Sequence, residues 1–119
     1  MEKVNVIKNI INLPQKFCKG SVSIFSLLQE SGYFDLSEQI TERDIKEELT
    51  QHLECIKEWL LYSEDKRNTS GWYFVQNNIE KYIVGYFSLE ENEITYEYLD
   101  KVEACAVFIK KEIETIRKC

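Results

Sequence analysis

The chain has one proline and four glycines in 119 residues, too few for a loop-rich scaffold, so long regular elements are expected. It has a single histidine, His52, and no Cys-x-x-Cys pair, so no zinc or other metal site is expected. Its four cysteines, Cys18, Cys55, Cys105 and Cys119, are far apart and read as free thiols of a reducing compartment. No apolar run approaches the roughly 20 residues that a bilayer demands, and no charged-then-apolar leader opens the sequence. A cytoplasmic protein with no membrane role is the expectation. Phosphate-cradling glycine loops, nucleophile elbows and His-Glu-x-x-His motifs are missing, so no cofactor is implied and the reading leans away from an enzyme. No linker, repeat or low-complexity run divides the chain, which predicts a single domain over 1–119.

Positive charge is also scarce. Fifteen Lys and Arg face 21 Asp and Glu, a net charge of −6. The first 40 residues are balanced, and the excess is densest from Glu90 to Glu103, where Lys101 is the one cation. Such a field repels nucleic acid and favours a basic protein partner. Aromatic residues, by contrast, are plentiful at 13%, too many for a disordered chain.

Hydrophobic spacing organises the sequence. Val4, Ile7 and Ile11 suit a short amphipathic helix stopped before Pro14. A second helix is expected from a cap at Ser21, with Val22, Phe25 and Leu28 on one side and Gly32 at its C-terminal glycine position. Thr41 and Asp44 have capping-box spacing, and Ile45, Leu49, His52, Ile56, Trp59, Leu60 and Ser63 fall in one stripe. A single helix from about Glu42 to about Glu64 is predicted.

The period then changes to two. "GWYFVQ" and "KYIVGYFS" read as a hairpin with the four-residue loop Asn77–Glu80, Gln76 opposite Lys81, and Trp72 lying across Gly85. That register groups Trp72, Phe74, Ile83, Gly85 and Phe87 on one face and Tyr73, Val75, Tyr82, Val84 and Tyr86 on the other. "EITYEY" supplies a third strand. Asp100 as a cap with Glu103 three residues on starts a last helix that lines up Val102, Cys105, Ala106, Ile109, Ile113 and Ile116. The fold class is α+β: N-terminal helices, a three-stranded antiparallel meander, and a C-terminal helix packed on the sheet.

Several residue groups invite functional readings. His52 lies within the apolar stripe and reads as a buried, hydrogen-bonded side chain; with Cys55 it is a conceivable but unsupported nucleophile pair. Glu90, Glu91 and Glu93 lack the oxygen-ligand spacing of a calcium loop and read as a solvated turn. "YSEDKRNTSGWYF" presents Asp65, Arg67, Trp72 and Tyr73, residue types enriched in binding hot spots, but the structural account is preferred: Lys66 and Arg67 complement the helix C-terminus, Asn68 to Gly71 make the turn, and Arg67 can stack on Trp72 or Tyr73.

The stretches "WLLYSEDKRNTSGWYF", "KYIVGYFS" and "ACAVFIKKEI" resemble short uncharacterised bacterial proteins, some of which neighbour toxin genes as immunity proteins. The similarity covers roughly Ser21 to Ile116. It implies a small acidic cytosolic inhibitor that caps the active site of a basic toxin. The partner-binding residues expected on the combined reading are Asp65, Arg67, Trp72, Tyr73, Glu90, Glu91, Glu93 and Glu97. The competing expectation is a small-molecule pocket or unrecognised enzyme lined by Tyr73, Tyr82 and Tyr86; an oligomerisation module using the same face is a third.

Overall fold

A computed structural model of the chain describes residues 2–19, 23–66, 71–78, 80–88 and 93–118, with the backbone alone at 18, 19, 65, 66 and 78. Among these residues the order is α1 (Lys3–Ile11), α2 (Leu13–Lys19), α3 (Ile24–Glu30), α4 (Tyr33–Leu36), α5 (Glu42–Gln51), α6 (Glu54–Lys66), β1 (Gly71–Asn78), β2 (Lys81–Phe87), β3 (Ile94–Tyr98) and α7 (Lys101–Lys118). The α+β class and the meander β1-β2-β3 stand as expected, with α7 packed against all three strands.

The N-terminal helices follow their local signals with two differences. α1 buries Val6, Ile7, Ile10 and Ile11 and leaves Val4 on the surface. Pro14 does not end the helical region: it lies in the first turn of α2, where a missing N–H costs nothing. α3 is capped by Ser23, whose Oγ accepts the Ser26 amide at 3.1 Å. Ser21 and Val22 lie outside the described residues. Gly32 takes φ 93°, a left-handed conformation that glycine adopts without steric cost, and it turns the chain into α4.

The capping box forms as its spacing predicts. Thr41 Oγ1 accepts the Asp44 amide, and Asp44 Oδ2 accepts the Thr41 amide at 2.9 Å. The helix it starts is shorter than expected, because α5 ends at Gln51 and α6 begins at Glu54. His52 takes φ −139°, ψ 62° at the break, and its side chain is 41% exposed, 3.6 Å from Glu54. The expectation of a buried histidine on one continuous helix is therefore corrected. Packing explains the break: α5 packs on α1 and α7, whereas α6 runs beside β1. The stripe accordingly shifts to Cys55, Ile56, Trp59, Tyr62 and Ser63 after the joint.

α7 occupies the centre. Ala104 through Ile109, with Glu112 and Ile113, are buried, so it is covered on nearly every side by α3, α5, α6 and the sheet. Phe108 stacks on Phe74 of β1 at 5.7 Å between ring centroids and meets Trp59 of α6 edge-on at 6.0 Å. Trp59 in turn packs on Tyr62, and its Nε1 donates to the Ile11 carbonyl at the end of α1 at 3.0 Å. At the outer edge of β1, Ser63 Oγ accepts the Phe74 amide at 2.6 Å, so α6 flanks that edge.

The acids that α7 turns inward are hydrogen-bonded. Tyr33 Oη donates to Glu114 at 2.7 Å and accepts from Lys110, whose Nζ also donates to the Ser37 and Ile40 carbonyls. Tyr62 Oη donates to Glu112 at 2.7 Å. Arg117 beside Glu114, helped by the Tyr33 hydroxyl and Lys110 against partial burial, holds that carboxyl down to about 2.

Truncating Phe108 to alanine is expected to cost about 3–5 kcal/mol, seen as a lower urea midpoint. A loss below about 1 kcal/mol would contradict the central role of that ring. Because the folded Glu114 carboxyl is depressed, its contribution is complete above about pH 4.5 and is lost as pH falls towards 2. Glu114→Gln should therefore show a shallower fall in urea midpoint across that window than the parent chain.

Candidate functional site

Strand register decides which side chains meet. β1 pairs Trp72 with Tyr86, Tyr73 with Gly85, Phe74 with Val84 and Val75 with Ile83, while β2 pairs Val84 with Tyr96, Ile83 with Glu97 and Gly85 with Thr95. This is one residue away from the expected register, and a one-residue slip exchanges faces. An irregularity between Gln76 and Asn78 absorbs the difference, so that Asn78 rather than Gln76 pairs with Lys81. The packing reason is that Phe74 and Val84, both fully buried, must point to the same side.

The inner face consequently carries Trp72, Phe74, Tyr82, Val84, Tyr86, Tyr96 and Tyr98 towards the helices. Trp72 meets Tyr86 edge-on at 5.2 Å, and Lys111 Nζ of α7 lies 4.6 Å from the Trp72 ring and 5.6 Å from that of Tyr96. Lys111 is thus a structural clasp between α7 and the sheet edge; the expected Arg67 stack lies outside the described residues.

The outer face carries Tyr73, Val75, Ile83, Gly85, Phe87, Thr95 and Glu97. Tyr73, Val75 and Ile83 are half-buried, and Phe87, Thr95, Glu97 and the neighbouring Glu93 are exposed. It is Tyr73, not Trp72, that lies across a glycine: a Cβ at position 85 would overlap the Tyr73 ring. Tyr73 Oη donates to Glu93. Burial, reinforced by that hydrogen bond and by the Glu93 charge, pushes the phenol up to about 12.

Of the residues expected to bind a partner, Tyr73, Glu93 and Glu97 come together on this face. Trp72 does not join them, because it belongs to the inner face. The Asp65 side chain and residues Arg67, Glu90 and Glu91 lie outside the described residues. Val75, Ile83 and Phe87 are not expected together from the sequence, because the slipped register places Val75 on the opposite face from Ile83 and Phe87. A signal was available, since tyrosine covers a strand glycine as readily as tryptophan does.

Other candidate chemistry does not assemble. The Cys55 thiol is buried and meets Asn12 Oδ1 at 3.7 Å. Burial, with Glu54 and Glu58 nearby, pushes it up to about 11, the reverse of an activated nucleophile. Cys105 is likewise a free, buried thiol. Among the described residues no three His, Cys, Asp or Glu side chains converge on a metal position. The pocket expected from Tyr73, Tyr82 and Tyr86 is corrected, since Tyr73 lies on the opposite face from the other two. No described helix is long and apolar enough to cross a membrane. No family model, curated protein or solved structure matches the chain.

The raised Tyr73 phenol favours its protonated form, so the stabilisation it brings is complete below about pH 10 and is lost as pH rises through about 12. Glu93→Gln should bring the phenol down towards 10, read by ultraviolet titration against a Tyr73→Phe control. A phenol still titrating near 12 would break the link between Tyr73 and Glu93.

Proposed function

We propose that this chain is a protein-binding domain whose outer sheet face docks on a basic surface of its partner. The observation that carries the reading is the convergence of Tyr73, Glu93 and Glu97 around Val75, Ile83 and Phe87. This is the arrangement of a docking patch: an aromatic and aliphatic centre with charge at the margin. A net charge of −6 adds long-range attraction for a cationic protein. Tyr73 is the anchor, pre-positioned by Gly85 beneath it and Glu93 beside it, so little side-chain freedom remains to be lost on binding. In its specific form the proposal is an immunity-type inhibitor, with Glu93 and Glu97 standing where a basic toxin holds anionic substrate.

The test uses the product of the gene adjacent to that of this chain. The expected result is a basic toxin bound with a strongly salt-dependent association rate. Glu93→Lys with Glu97→Lys should slow association about tenfold or more, and Tyr73→Ala should chiefly speed dissociation. A neighbour from a metabolic operon that does not bind, or an association rate untouched by the charge reversals, would overturn the reading.

A further inference from the structure

Away from the outer sheet face, a groove of about 420 Å³ runs between α6, the hairpin and the start of α7. Its floor is Ile56, Leu60 and the inner-face Tyr82. Leu53 and Leu61, 46% and 52% exposed, form its open wall. Two accessible leucines beside a hollow make a local apolar patch, apart from the other exposed apolar side chains of the outer sheet face and the N-terminal helices. The charge at the groove is of the opposite sign to that of the whole protein. Its charged lining residues are Lys57 and Lys101, both exposed and neither in an ion pair among the described residues. Tyr82 and Lys101 also line the adjoining hollow, where Glu80 and Asp100 lie beside Leu99; Asp100 is engaged, accepting the Val102 amide at 2.9 Å and lying 3.7 Å from Lys46.

We propose that this groove binds a small anionic amphiphile, a medium-chain alkyl carboxylate, with the tail along Leu53, Leu60 and Leu61 and the carboxylate at Lys57 and Lys101. An apolar trough with a few polar groups fixing orientation is the usual form of a small-molecule site, and 420 Å³ lies within the usual size of about 300–1,000 Å³. A neutral apolar ligand would leave both lysines unused, and a cationic one would meet them with like charge. A folded protein partner needs about 800 Å² on each side, more surface than this trough offers. The site is separate from the outer sheet face and does not depend on the docking reading.

The test is a titration of the full chain with decanoate below its aggregation threshold, followed by methyl NMR, with decyltrimethylammonium as the control. Saturable shifts confined to Leu53, Ile56, Leu60 and Leu61, absent with the cationic control, are the expected result. Lys57→Gln with Lys101→Gln should weaken binding about three- to tenfold, the worth of one or two exposed ion pairs. Leu61→Asp, at a half-exposed position that does not burden folding, should abolish it, with circular dichroism confirming an unchanged fold. Equal binding of the cation, shifts scattered over other surfaces, no saturation, or an affinity indifferent to the lysine replacements would each overturn the proposal.

Discussion

The contact between Phe108 and Phe74 joins the two halves of this molecule. A hairpin alone is marginal in water and gains stability from a third strand and a packed helix; here the dry face is covered mainly by α7. Phe108 reaches the sheet on one side and Trp59 on the other, and Trp59 ties onward to the end of α1. Strand, central helix, α6 and the N-terminal helices therefore share one column of rings. The hydrogen-bonded phenols of Tyr33 and Tyr62 lie along the same helix and satisfy the acids that α7 carries inward.

Fixing Phe74 and Val84 to the dry side also determines what the wet side presents. Tyr73 must then point outward over Gly85, and Glu97 must stand opposite Ile83. The candidate surface is a by-product of core packing on the other side of the same strands. Its acids gain from that rigidity: Glu93 is held against Tyr73 instead of swinging freely in solvent.

What could be read from the residues alone depended on how local the controlling physics was. The Thr41–Asp44 box, the glycine at position 32, the three strands and the start of α7 each follow from signals within a few residues, and each appears where expected. The break at His52 has no proline or glycine to announce it; it arises because α5 and α6 pack on different neighbours. The hairpin register failed for a related reason, since alternation marks a strand but leaves a one-residue slip undetermined until burial chooses. Tyr73, Glu93 and Glu97 stand out in the sequence by their chemistry and are neighbours in space. Trp72 stands out on the same grounds, yet it packs under Lys111 on the inner side.

The hydroxyl of Ser63, bonded to the Phe74 amide, has an implication for assembly. With α6 alongside, the β1 margin is less open to a further strand than the β3 margin among the described residues. One serine, and the helix that carries it, thus withholds from any incoming strand an amide that an open edge would offer.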